Sequence, residues 1–353
     1  MIKPGEKFFL KLKPWLTFSI RLIIGFLLIF YLIKGGKLDF TKIIAVFSSQ
    51  PQVLIIFLLV IVVNNFILSG LRYQVLLNGK FNLPQDILKL TMIGQFFNST
   101  LPGAVTGDLV KGYYFKKINA NLKTSDLVVS LICDRLAGLS ALMMVALMCL
   151  LIFYFGASYQ PHQLHIMLLV MGMPLVLGYI FLIILARFSN NFSQMWGKIS
   201  SLAQSNKALV SLSNSFKLFK LSKLSKLSKL SKLSKLNITL PSANRLIVAL
   251  AISLVIFTST TLLIYYGATK LGVAPALNLW QQALLIPIGL IVVALPISPG
   301  GIGLGHVAFQ MLYASHGIKG GADVFNIFIV VQLLVNLTGV VPYLALKNKQ
   351  RKI

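Results

Sequence analysis

Carboxylates are nearly missing from this chain of 353 residues, which sets seven Asp and Glu against 33 Lys and Arg. They are Glu6, Asp39, Asp86, Asp108, Asp126, Asp134 and Asp323, so nothing acidic lies between Asp134 and Asp323. A catalytic carboxylate pair inside that interval is excluded. Cysteine is scarcer still. Cys133 and Cys149 fall on one expected helix, roughly 24 Å apart at 1.5 Å per residue, out of disulfide reach of each other, so cysteine is silent on redox compartment. His162, His165 and His316 lie in or near expected outer loops with no Cys or Glu beside them, and no metal site or cofactor is expected.

Charge of either sign is sparse. Only 11% of residues are charged, against about 25% in a soluble domain, while 57% are hydrophobic and the mean hydropathy is +0.84. The chain is therefore expected to be an all-α polytopic membrane protein, embedded over almost its whole length. A net charge of +26 would suggest nucleic acid in a soluble protein. Here the Lys and Arg sit between apolar runs, so the expected partner is membrane lipid, anionic lipid in particular, and not nucleic acid. Oligomeric state is not legible.

A spanning helix needs about 20 mostly apolar residues. Six runs qualify: Trp15 to Ile33, Val53 to Leu71, Leu127 to Tyr154, Leu164 to Ala186, Leu246 to Tyr266 and Val324 to Leu346. The basic stretch Lys3 to Lys13 before the first run resembles a signal sequence, but the run is long and no small-residue cleavage site follows, so it reads as a retained span. Two more apolar stretches are broken at their centres. Ile87 to Tyr114 is interrupted by Leu101-Pro102-Gly103, and Gln282 to Tyr313 by LPISPGG, which carries Pro296, Gly300 and Gly301. Arms of about 12 to 17 residues are short for a crossing, and irregular backbone at membrane depth survives only inside protein or along a wet cavity. Both stretches read as re-entrant hairpins.

With the N-terminus inside and each hairpin returning to the face it left, the basic clusters fall on the cytoplasmic side. Only Lys34, Lys37, Lys42, Lys270 and Lys319, five of 33 basic residues, fall outside. The order becomes span, span, hairpin, span, repeated once with opposite sense, an inverted-topology repeat whose broken segments meet near the midplane. The plainer alternative is eight to ten ordinary helices packed by small residues. Three regions result: an N-terminal membrane repeat over 1–188, a basic loop over 189–244, and the remaining membrane segments over 245–353. Both termini are expected in the cytoplasm and the protein in the cell (inner or plasma) membrane. Within the loop, Lys220 to Asn237 reads KLSKLSKLSKLSKLSKLN, with a period of three that suits neither strand nor helix. A low-complexity linker explains it more simply than a polybasic lipid tether.

Ionisable residues inside apolar segments cost roughly 2.5–3.5 kcal/mol on insertion scales and point to function. The densest cluster is in the first hairpin, where Gln95, Asn98, Ser99 and Thr100 precede the bend and Thr106, Gly107, Asp108 and Lys111 follow it. Thr106 to Asp108 would open the returning arm, where free N–H groups and the helix dipole favour an anion such as a phosphate headgroup. Simple capping by Thr106 or Asp108 is the competing reading. Asp134 and Arg135 form a second cluster. Helix neighbours do not face each other, so each needs another partner, and the hairpin offers Asp108 for Arg135 and Lys111 for Asp134. Those pairs are either a fixed clamp or a set of charges that changes partners when a headgroup arrives. Arg72 ends the second span, either as an interfacial anchor or as a substrate contact. In the second hairpin, Gly300, Gly301, Gly303 and Gly305 permit close backbone approach. GGIGLG lacks the preceding strand and the Lys-Ser/Thr of a nucleotide loop. His306 opens the returning arm there, as a headgroup ligand or a merely hydrogen-bonded side chain.

Three stretches, IGQFFNSTLPGAVTGDLVKGYYF (Ile93 to Phe115), SLICDRLAG (Ser130 to Gly138) and LPISPGGIGLGHVAFQMLY (Leu295 to Tyr313), resemble the signature blocks of the lysylphosphatidylglycerol synthase membrane-domain family, also called flippase-like integral membrane proteins. The similarity runs over nearly the whole chain. It implies lipid translocation, with Asp108, Lys111, Asp134 and Arg135 at the family's charged positions. It also implies that the soluble synthetase domain of some members, expected after the last span, is lacking. Gly305-His306 stands where the family commonly has Arg-Glu. The expected function is translocation of an anionic or polyprenyl-linked lipid headgroup, with no enzymatic activity. A membrane-embedded transferase acting on a lipid carrier and a non-transporting scaffold are the alternatives.

Overall fold

No water is available in hydrocarbon to satisfy backbone N–H and C=O groups, so an apolar run folds as a helix, which closes its own hydrogen bonds. The computed structural model follows this rule: every regular element among the described residues is helical. The structure describes residues 27, 30–31, 33–34, 39–77, 84–100, 106–119, 122–156, 172–184, 186–187, 240–273, 279–294 and 298–351. In chain order the helices are α1 (Phe40–Ser49), α2 (Pro51–Leu76), α3 (Pro84–Thr100), α4 (Thr106–Ile118), α5 (Thr124–Gly156) and α6 (Gly172–Ile184). Then follow α7 (Ala243–Lys270), α8 (Leu279–Val293), α9 (Leu304–Ala314), α10 (Gly321–Leu337) and α11 (Val340–Arg351).

Four stretches are long and apolar enough to cross a membrane: Pro51–Leu76, Thr124–Ile152, Ala243–Lys270 and Gly321–Leu346. They coincide with four of the six expected spans. Of the others, Trp15 to Ile33 lies mostly outside the described residues, and Leu164 to Ala186 is described from Gly172 onward as the short apolar α6. The KLS segment also lies outside them. The last span is less regular than expected, because α10 ends at Leu337 and α11 begins at Val340. Gly339 sits in that break against the backbone of Met92 on α3, where a Cβ would collide with the Met92 carbonyl.

One element was not anticipated. Residues 40–49, read as part of an outer loop, form α1. Asp39 caps it by accepting from the Thr41 N–H at 2.9 Å, and the Asp39 N–H donates to Asp323 at the start of α10 at 2.8 Å. Lys42 stands 3.5 Å from the same carboxylate. A second surprise lies inside α2, where Val63–Leu68 winds as a π-turn.

The two broken stretches fold as arm pairs. α3 and α4, of 17 and 13 residues, pack along one another. α8 and α9, of 15 and 11 residues, are likewise in contact. At about 1.5 Å per residue each arm is shorter than the roughly 30 Å hydrocarbon thickness. Before α9 the chain makes a 3₁₀ turn at Pro299–Gly301, with φ of 58° at Gly300 and 75° at Gly301. L side chains rarely adopt such angles.

The core joins both pairs to the spans. Phe57 of α2, Ile264 of α7, Leu285 of α8, Phe309 of α9 and Phe325 of α10 belong to one buried cluster. Tyr73, Leu90, Phe115 and Leu127 form a second around α3 and α4. Ile44, Leu59, Met148 and Met311 remain well exposed, as expected where the surrounding solvent is lipid.

Candidate functional site

α2, α5 and the first arm pair bring the isolated charges of the sequence together. Asp134 and Arg135 leave α5 about 100° apart in azimuth, so each meets a different neighbour. Asp134 takes a fork from Arg72 of α2, with Nε and Nη2 donating at 2.7 and 3.0 Å to its two oxygens. Arg72 Nη1 also donates to the Ser253 hydroxyl of α7 at 3.0 Å. Arg135 reaches Asp108 of α4, its Nε donating to Oδ2 at 2.6 Å.

The expected Asp108–Arg135 pair is therefore present, while the Lys111–Asp134 pair is not. Arg72 takes that carboxylate, since a planar guanidinium matches it with two parallel bonds. Lys111, 4% exposed, instead holds its ammonium 3.8 Å above the Tyr73 ring, a cation–π contact. Nor is Arg72 an interfacial anchor. Its side chain is 11% exposed and its partner Asp134 9%, whereas Arg135 is 45% exposed.

Asn98 shapes the arms around these charges. Its Oδ1 accepts from the Gly107 N–H at 2.9 Å, so Asn98 satisfies a free amide at the start of α4. Gly107 lies so close to α3 that a Cβ would overlap the Gly94 carbonyl. Thr106 opens α4, but its side chain lies outside the described residues, as do Pro102, Gly103 and Pro296.

These groups line a cleft with two chambers. The first, about 210 Å³, is walled by Arg72, Asn98, Asp108, Lys111, Asp134 and Arg135, and is closed from the other side by Ser298, Gly300 and Gly301 of the second arm pair. Three cations face two carboxylates there, a surplus of one positive charge. Two hydroxyls on its walls, Thr91 and Ser298, are 2% and 8% exposed and have no partner among the described residues. The second chamber, about 280 Å³, shares Ser69, Arg72, Gln95, Asp134, Arg135 and Gln332 with the first, and continues between Leu139, Leu142, Phe257, Leu290 and Phe328. The charged end of the cleft thus adjoins a mostly apolar one.

His306 is not on the cleft. It is 2% exposed, its Nδ1 accepts from the Gly303 N–H at 3.3 Å, and its Nε2 lies 3.2 Å from the Asn326 carboxamide oxygen. Gly303, at φ 81°, serves this bond and not the cleft wall.

Several cleft residues escaped the sequence reading: Thr91, Asn64, Asn65, Gln332 and Asn336. Their signal was present, because an amide in the middle of IVVNNFIL or IVVQLLVN is nearly as out of place in hydrocarbon as a charge. Asn65 donates to Asn336 at 3.1 Å, and Asn336 to Ser99 at 2.9 Å, which ties α2, α10 and α3 together beside the cleft.

No curated protein matches this sequence. A family model described as the lysylphosphatidylglycerol synthase TM region matches residues 18–338. With that match over nearly the whole chain and four helices able to cross a bilayer, this multi-pass membrane protein belongs to the lysylphosphatidylglycerol synthase TM-region family.

Proposed function

We propose that the protein translocates a lipid with an anionic headgroup, which enters the two-chambered cleft while its acyl chains stay in the bilayer. The observation that carries this reading is a chamber with surplus positive charge that opens, past the shared Arg72, Asp134 and Arg135, into one whose far wall is mostly apolar. An amphipathic ligand meets both needs at once. Lys111 is the group best suited to the incoming anion, because its present contact is an aromatic face and not a carboxylate. Arg135, half-exposed, can turn from Asp108 toward a phosphate; Asp108 then retains Asn98, whose Nδ2 stands 3.5 Å away. Buried Arg72–Asp134 holds the floor.

In this reading α3–α4 and α8–α9 are re-entrant hairpins dipping from opposite faces, the two halves form an inverted repeat, and both termini are cytoplasmic. Short arms and their meeting at one cleft support that arrangement. The same geometry favours translocation over group transfer, since before a headgroup enters both cleft carboxylates are paired with guanidinium groups, and Asp108, once Arg135 turns, is still held by the Asn98 amide.

The test is reconstitution in vesicles carrying a panel of labelled lipids, anionic, zwitterionic and polyprenyl phosphate. Anionic lipids should cross faster than in protein-free vesicles, and Lys111→Gln should reduce the rate at least tenfold. Movement no faster than in protein-free vesicles across the whole panel would refute the proposal.

A further inference from the structure

The charged chamber gives a headgroup somewhere to bind but no way onward. Guanidinium and ammonium groups that hold a phosphate tightly also hold it back, and conduction through any path needs sites weak enough to leave. The residues beyond the neck are of a different kind.

Gln95 of α3 and Gln332 of α10 stand where the chambers join, lining both. Neither side chain has a hydrogen-bond partner among the described residues. Farther in is Asn65, which lines the second chamber alone. Its Nδ2 donates to Asn336, while its Oδ1 takes no partner among the described residues. Asn65 is on the π-turn Val63–Leu68, a distortion frequent at functional sites. The neighbouring Asn64 faces α7, where it binds Ser259 at 2.9 Å, Thr260 at 3.1 Å and the Ile256 carbonyl at 3.3 Å. Asn64 also lines the chamber, but its amide is committed to α7 as a structural bolt, and Asn65 is the one of the two with a free oxygen to offer.

We infer that Gln95, Gln332 and Asn65 form a second, uncharged station for the headgroup, specific for hydrogen-bonding groups carried on a phosphodiester, such as hydroxyls or amines. This inference rests on the translocation reading. Uncharged amides replace part of the headgroup's hydration by donating to phosphate oxygens and accepting from hydroxyls or ammonium groups. They bind more weakly than charge-assisted partners do, so a headgroup can pass from Lys111, which lines the first chamber alone, past Arg135 at the junction to the amides of the second chamber and leave it again. The first chamber captures, and the amide station passes the headgroup on.

The experiment separates capture from passage. Binding of dihexanoyl phosphatidylglycerol to purified protein is measured by calorimetry. Transport is measured with fluorescent phosphatidylglycerol in vesicles of phosphatidylcholine and phosphatidylglycerol. Gln332→Leu, which removes no hydrogen bond among the described residues, should bind within about threefold of wild type yet transport at least tenfold more slowly. Asn65→Leu should behave alike, with Asn65→Gln restoring part of the rate. Lys111→Gln should lose both binding and transport. Unaltered transport in Gln332→Leu, or a binding loss there as large as in Lys111→Gln, would overturn the second station and leave the translocation reading standing. Wild-type protein that neither binds nor moves the lipid would instead reject the translocation reading itself, and this inference with it.

Discussion

Single residues in this protein separate by burial into those that hold the fold and those free to respond. Removing one partner of a buried ion pair strands the other, at a cost of about 3–5 kcal/mol. Arg72→Leu should therefore lower the thermal unfolding midpoint in detergent markedly, and the double variant Arg72→Met with Asp134→Leu should recover much of the loss. Arg135 is 45% exposed but its partner Asp108 only 11%, so Arg135→Gln, which leaves an amide donor beside the carboxylate, should cost less than Arg72→Leu does. Equal losses at the two arginines would mean that both pairs are structural clamps. His306 teaches a different lesson. Its position after the glycines suggested a headgroup ligand, yet both ring nitrogens serve neighbours inside the protein. A sequence shows that an imidazole is near a bend, and only packing decides whether it faces a cleft.

At the scale of elements, legibility followed the strength of the apolar signal. The spans at residues 51–76, 124–152 and 243–270 were readable because lipid tolerates little else over so many residues. The π-turn was not, since VNNFIL carries no signature separating i→i+5 winding from an ordinary turn. α1 was missed because ten residues fall below the length of a span, and its anchoring to α10 through Asp323 is a long-range contact. The arm pairs were readable from Pro and Gly, and their closeness depends on specific glycines. Gly107→Ala would drive a Cβ into the Gly94 carbonyl and Asn98, so the pair should separate. Overpacking of this kind costs about 1–3 kcal/mol, and amide exchange in α3 and α4 should rise while that in α7 does not. Gly178→Ala on α6, with nothing within 4 Å of the new carbon, is the control and should change neither.

For the whole molecule, the cleft exists because elements distant in sequence converge on one volume. Arg72, Lys111, Asp134 and Gly300 come from four separate segments, so their charges were visible in the sequence while their partners were not. Convergence of this kind follows naturally if the two arm pairs enter from opposite faces. That arrangement has a consequence for sidedness. α4 has 13 residues, about 20 Å of helix against roughly 30 Å of hydrocarbon, so the chain should emerge from α4 on the face where α3 began. Lys117, in the last turn of α4, and His316, just after α9, are both exposed. Cys133 and Cys149 are buried, which keeps background labelling low. Lys117→Cys should react with a membrane-impermeant maleimide only after cells are permeabilised, and His316→Cys should react in intact cells. If α3 and α4 instead made one full crossing, position 117 would label from outside, and a cleft closed by hairpins from the two faces would have to be abandoned for a bundle of ordinary spans.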